Sequence, residues 1–155
     1  MDNDTQKPKI LIVDDTRENI LALKLVLKKL DVTVIEALSG TEALEATLHH
    51  EFSLILLDVM MPGLDGYEVA EMLHKDPRTI DIPIIFISAM DKTDAVEIKG
   101  YSKGAVDCIF KPINEVVLLS KIKVYLELFS KRKYIENVLF TQQTENPKIL
   151  IVDDN

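Results

Sequence analysis

Five short runs of apolar, largely β-branched residues, separated by segments of helical periodicity, constrain this chain more than any other feature. The runs are Lys9–Val13, Val32–Glu36, Ser53–Leu57, Pro83–Ile87 and Ala105–Phe110. Within them, Ile10-Leu11-Ile12-Val13 and Leu54-Ile55-Leu56-Leu57 contain no polar residue. A strand with one wet face alternates apolar and polar residues. A continuously apolar strand is covered on both faces, as in a parallel sheet flanked by helices. The alternation therefore predicts an α/β fold with a doubly wound parallel sheet and helices on both faces. In such a fold the site lies at the carboxyl ends of the strands.

The intervening helices carry their own start and stop signals. Asp15-x-x-Glu18, Ser39-x-x-Glu42 and Asp65-x-x-Glu68 each have the spacing of a capping box, which satisfies the orphan amides of a first helical turn. The first helix repeats Ile20, Leu23, Leu27 and Leu30 on one face and ends in Lys28 and Lys29, favourable at a negative terminus. Asp76-Pro77 stops the third, and Gly63 and Gly66 punctuate the loop before it. The last helix is expected from about Asn114 to Phe140, because no Gly or Pro interrupts it. Val116, Val117, Leu119, Ile122 and Leu126 in its first half are read as packing on the sheet. Its second half carries Lys131-Arg132-Lys133 but keeps Leu128, Ile135 and Val138 at coiled-coil-like spacing. Two readings stand for it: a protruding solvated helix, or a signalling linker and dimer seam.

A repeat bears on domain organisation. Pro8-Lys9-Ile10-Leu11-Ile12-Val13-Asp14-Asp15 recurs as Pro147-Lys148-Ile149-Leu150-Ile151-Val152-Asp153-Asp154. The expected division is a first domain over 8–130, a helical linker over 131–146 and the start of a second, similar domain over 147–155. A chain of 155 residues suits one such domain plus a tail. One cysteine, Cys108, excludes an internal disulfide framework. Apolar stretches of at most four or five residues are far short of a membrane span. The acidic start, Met1 to Asp4, is unlike a secretory signal, so a cytoplasmic location is expected. A net charge of −8 argues against nonspecific binding to nucleic acid.

The chemistry-bearing residues fall at strand ends. Asp14 and Asp15 follow the first strand and Asp58 follows the third. If those strands are neighbours, three carboxylates meet, and like charges that close must either take up a proton or share a cation. All-oxygen ligands suit Mg²⁺, which typically takes one or two carboxylates and keeps several waters. Helix capping explains Asp15 but not Asp58, which is followed by Val-Met-Met-Pro. Ser88 ends the fourth strand and Lys111 the fifth. Either alone reads as an ordinary loop residue. With the acidic triad they form a phosphoryl-transfer set: nucleophilic carboxylate, metal, hydroxyl donor and cationic clamp.

Taken in order, Ile10-Leu11-Ile12-Val13-Asp14-Asp15, Leu56-Leu57-Asp58-Val59-Met60-Met61-Pro62-Gly63-Leu64-Asp65-Gly66, Ser88-Ala89 and Lys111-Pro112 resemble the receiver domain of bacterial two-component response regulators over about residues 8–130. The resemblance implies a five-stranded sheet of order 2-1-3-4-5 and a phosphorelay switch rather than a turnover enzyme. It implies that Asp58 accepts phosphate from a sensor histidine kinase or a histidine phosphotransfer protein. Asp15, Asp58 and the Met60 carbonyl would hold Mg²⁺, with Asp14 reaching it through water, and Ser88 and Lys111 would bind the phosphoryl oxygens. The expected readout is the face made by the fourth and fifth helices, by homodimerisation there or along the long last helix.

One position departs from the family pattern. Cys108 stands three residues before Lys111, where the family usually has Tyr or Phe. A thiol cannot supply an inward-turning ring. Tyr101 is the alternative aromatic and reads as helix-face core, while Cys108 reads as a buried, unreactive thiol. His49 and His50 point about 100° apart on a helix and so suit solvation rather than joint metal binding. His74 lies at a helix end, and none of these histidines resembles a phosphodonor. The rival reading is a Mg²⁺-dependent phosphohydrolase of the haloacid-dehalogenase type. Its general acid would stand two residues after the nucleophile, and that position is Met60.

Overall fold

The computed structural model describes residues 7–89 and 107–145. In chain order the elements are β1 (Lys9–Val13), α1 (Arg17–Leu27), β2 (Thr33–Ala37), α2 (Gly40–His49), β3 (Leu54–Asp58), α3 (Gly66–Lys75), β4 (Ile84–Ser88), β5 (Asp107–Phe110) and a long helix, here α4 (Glu115–Glu145). The helix expected between β4 and β5, with Met90 and Tyr101, lies outside the described residues, as does the repeat at 147–155.

The strands form one parallel sheet of order β2-β1-β3-β4-β5. Successive side chains on a strand point to opposite faces, so each apolar run feeds two cores. Leu11, Val13, Ile55, Leu57 and Phe86 face α2 and α3, where Ala43, Val69, Ala70 and Leu73 cover them. Ile10, Ile12, Leu54, Leu56, Ile85 and Ile87 face the other way, against Ile20, Leu23 and Leu27 of α1 and Leu118 and Ile122 of α4. The order reverses at β1, between β2 and β3, which opens the crevice at the strands' carboxyl ends.

β2, β3 and β4 each lie one residue later than the sequence pattern suggests. The polar last residues of β3 and β4 remain paired in the ladder, with Asp58 opposite Ile87 and Ser88 opposite Phe110. Proline has no N–H to give, and Pro83 sits just before β4, contributing only its carbonyl to Ile55 N–H at 3.0 Å.

The three expected capping boxes part company. Asp65 forms the full box: its Oδ1 accepts from Glu68 N–H, and Glu68 Oε1 accepts from Asp65 N–H, both at 2.9 Å. Ser39 Oγ accepts from Glu42 N–H at 3.1 Å, but Glu42 reaches back to Leu38 N–H instead of Ser39. At α1 the expectation is wrong. Thr16 is the N-cap without a side-chain cap bond, and Thr16 N–H goes to Asp14 Oδ1 at 2.9 Å. The helix begins one residue later than a box at Asp15 requires, which puts Glu18 out of phase and leaves Asp15 exposed.

The long helix also corrects the sequence reading. It starts at Glu115, and Leu118 and Ile122 are fully buried, while Val116 and Val117 are 73% and 44% exposed. The dense apolar cluster at its start hides the phase, which is set by whichever residues meet the sheet. From Ser130 to Thr141 every residue is exposed, including Tyr134, Ile135, Leu139 and Phe140. Arg132 pairs with Asp81 at 3.1 Å before β4, tying this part of the helix to the body. No helix among the described residues is long and apolar enough to cross a membrane.

Candidate functional site

β1 and β3 run side by side and in register, so their carboxyl ends deliver acidic side chains to the same place. Asp14 and Asp58 are buried and Asp15 is exposed, and each offers a carboxylate oxygen within 4.8 Å of the others. The backbone fixes the first two. Asp14 N–H donates to Ala37 carbonyl oxygen at 3.1 Å, continuing the β1–β2 ladder past the strand's end. Asp58 is the last ladder residue of β3. Gly66 closes over the backbone next to it, its N–H donating to Val59 carbonyl oxygen at 2.9 Å. A Cβ at Gly66 would lie 2.3 Å from the Asp58 carbonyl oxygen, so only glycine permits this approach. Gly63, with φ of 75°, turns the loop that leads there.

Lys111 completes the constellation. Its Nζ lies 3.8 Å from Asp14 Oδ2 and 3.9 Å from Asp58 Oδ1, and its side chain is largely covered. Its N–H donates to the Ser88 carbonyl oxygen at 2.8 Å, so β4 and β5 hold the two residues as a pair. The Lys111–Pro112 peptide is cis. Ser88 is fully buried at the end of β4. Met60 is 60% exposed at the loop after Asp58.

One lysine does not balance three carboxylates. Burial first, and then the Asp14 charge, push the Asp58 carboxyl up to about 6, against the opposing pull of Lys111. Asp15 raises it further, and a hydrogen bond from the Met60 backbone lowers it. A buried acid held this far above its ordinary range binds a proton or a cation more readily than an isolated carboxylate does. The donor set, all oxygen and short of positive charge, fits a hard divalent cation. Beside it, a cavity of about 370 Å³ is lined by Asp14, Asn19, Leu23, Val26, Lys111 and Ile113, so polar and apolar groups share one opening.

All the residues that sequence reasoning nominated at strand ends are thus at this one end of the sheet. Asn19 was overlooked: its amide donates to both oxygens of Asp14. An Asn on the first turn of a helix carries no signal of its own, and only its spacing from Asp14 could have drawn attention to it. Cys108 is partly exposed rather than buried, because β5 is an edge strand. It pairs with Phe86 in the ladder, and Phe86 meets the Tyr67 ring edge to face at 5.2 Å. Burial, and next the nearby thiol, raise the Tyr67 hydroxyl above its ordinary range. The aromatic rings near Cys108 among the described residues are therefore Phe86 and Tyr67. His50 points its Nδ1 to Lys9 Nζ at 3.2 Å, far along β1 from the carboxylates.

This combination of a 2-1-3-4-5 parallel sheet with acids after β1 and β3 and a lysine after β5 defines a class of signalling domains. The family model for the response regulator receiver domain matches residues 10–123, and the chain belongs to that family, whose members serve as signalling switches. It is 38% identical over 115 residues to Response regulator PleD of Caulobacter vibrioides, covering 74% of this chain and 25% of that protein. It is 32% identical over 118 residues to Protein PilH of Pseudomonas aeruginosa, covering 76% of this chain and 97% of that protein. The crystal structure of a CheY-like response regulator receiver domain protein from Methanospirillum hungatei superposes with a TM-score of 0.74 at 28% identity, covering 81% of this chain and 98% of that one. The chain spans only 25% to 58% of the length of several curated relatives, PleD and Transcriptional regulatory protein ResD of Bacillus subtilis among them.

Proposed function

We propose that residues 8–130 form a phosphoacceptor switch in which Asp58 receives a phosphoryl group from a histidine kinase or a histidine phosphotransfer protein. The observation that carries this reading is the position of Lys111 Nζ, within 4 Å of both Asp14 and Asp58. It is a cation held at the mouth of a buried acid pair. An Asp58 oxygen attacks phosphorus as the bond to the donor's imidazole nitrogen breaks, and the imidazole leaves with the bonding electrons. Lys111 and the Ser88 hydroxyl take the phosphoryl oxygens, offsetting an added charge of about −1.5 to −2. Asp14, Asp15, Asp58 and the Met60 carbonyl would hold Mg²⁺, which when bound supplies further neutralisation of the charge on the transferring group. The largely apolar cavity between α1 and the Lys111–Ile113 loop, lined by Asp14 and Lys111, offers the donor a place to dock beside the site.

The switch is read by movement of Ser88 at the end of β4 and of Lys111 just ahead of α4. The output is self-association through the long helix or the readout face that the family resemblance implies, with residues 131–146 as the linker. The chemistry is stoichiometric: no general acid stands at Met60, so the domain labels itself and does not turn over phosphate esters.

Incubation of wild type and Asp58→Asn with acetyl phosphate and Mg²⁺, followed by intact mass measurement, tests the assignment. One added phosphoryl group is expected in the wild type alone. Equal labelling of the two would refute it, and continuous phosphate release would favour the hydrolase reading.

A further inference from the structure

Asn19 sits in the first turn of α1, half-buried. Its amide nitrogen donates to Asp14 Oδ1 at 3.3 Å and to Oδ2 at 3.2 Å. The Thr16 N–H adds a third bond, to Oδ1 at 2.9 Å. A carboxylate has roughly four lone-pair positions. These three bonds fill both positions on Oδ1 and one on Oδ2. The position left open is on Oδ2, the oxygen nearest Lys111.

We infer that Asn19 is a positioning residue for the cation site, fixing the Asp14 carboxylate so that Oδ2 is presented toward Asp58 and Lys111. The inference rests on the reading of the site as a Mg²⁺-assisted phosphoacceptor. The choice of an amide has a physical reason. Asp14 lies among like charges from Asp15 and Asp58, and repulsion alone would swing a short two-torsion side chain away from them. A lysine or arginine at position 19 would hold it too, but would add a positive charge where a cation must come. A neutral double donor holds the carboxylate and leaves its charge on offer. Outer partners of this kind typically carry a 10- to 100-fold share of metal affinity.

The test uses the full chain and magnesium chloride. Asn19→Leu removes the donor at similar volume, and Asn19→Lys keeps a donor while adding charge, which preserves the fold should the apolar variant lose it. Calorimetric titration should show Mg²⁺ binding weakened about tenfold in Asn19→Leu, and at least as far in Asn19→Lys. The Mg²⁺ concentration for half-maximal labelling by acetyl phosphate should rise in step, with the rate at saturating Mg²⁺ restored to within twofold of wild type. A purely structural role would lower thermal stability and leave the Mg²⁺ affinity of the folded protein untouched. A folded variant that binds Mg²⁺ within twofold of wild type overturns the inference, as does a rate that stays depressed at saturating Mg²⁺. A wild type that binds no Mg²⁺ overturns the reading of the site itself, and is recognised by failing before any variant is compared.

Discussion

The acidic end of the sheet and the outer half of α4 are opposite kinds of surface. At the sheet end, charge is buried: Asp14 and Asp58 are almost wholly covered, and Asp14 is held by Thr16 and Asn19. On the outer half of α4, apolar bulk is exposed: Ile135, Leu139 and Phe140 are each more than half accessible. Burying charge and exposing hydrocarbon are both unfavourable for a domain on its own. On the proposed reading a cation offsets the buried charge at the first surface and an apolar partner covers the second. Stability resides elsewhere, in the two cores that the apolar strands feed.

That contrast can be broken most forcefully within α4 itself. Leu118→Ala should cost about 2–5 kcal/mol, as buried leucine truncations do, because Leu118 is fully enclosed between α4 and the sheet. Ile135→Ala, on the same helix, should change the stability of the monomer by less than about 0.5 kcal/mol. Urea melts at low protein concentration compare them, and equal losses would erase the distinction between the two halves.

The buried acid provides the next largest effect. A folded-state value of about 6 for Asp58, above the unfolded 3.8, means that the native state binds more protons between these limits. Metal-free stability supported by Asp58 is therefore complete below about pH 4 and lost as pH rises through 6, by up to about 3 kcal/mol. Asp58→Asn lacks this dependence. Its stability relative to wild type should grow from pH 4 to pH 7.5 in EDTA and shrink again with Mg²⁺. A gap that stays flat across that range shows that Asp58 is not a strained acid.

Two smaller effects sharpen the comparison. If the exposed stripe is a seam for a second copy, Ile135→Lys should lower the molar mass measured by light scattering at high concentration in the presence of a phosphoryl mimic. A wild type that stays monomeric under those conditions removes the seam. At the other surface, the Met60 thioether is only a weak acceptor for an attacking water. Met60→Asn should speed loss of the phosphoryl group several-fold, and decay no faster than wild type would exclude the role assigned to this side chain.

Legibility in the sequence followed the same division. Wherever burial is continuous, the pattern declared itself: the runs around Ile10 and Leu54 specified covered parallel strands, and the acids after them marked the crevice. The misses occur where a local pattern was decided by a distant neighbour. Glu18 has the spacing of a cap, but the Asp14 carboxylate takes the Thr16 amide and shifts the start of α1. Val116 and Val117 are as apolar as Leu118, and only the position of the sheet selects which of them is enclosed. Asn19 has no apolar or charge signature, and its importance comes from what it faces. Cys108 is half open because β5 ends the sheet, a property of strand order rather than of the residue.

The unbroken course of α4 has a mechanical consequence. At 1.5 Å per residue, its 31 residues make a rod about 46 Å long, held by Leu118 and Ile122 near one end and by the Arg132–Asp81 ion pair further along. Beyond Arg132, which pairs with Asp81, the stretch to Glu145 is a lever arm of roughly 20 Å. A tilt of about 5° at the clamp moves its tip by roughly 2 Å, more than the sub-ångström adjustments that reshape a packed core. On the proposed reading, Lys111, four residues before the helix begins, is where phosphorylation pushes on the near end of the helix. On the proposed reading, a small tilt at the site is thereby enlarged at the far end of the helix.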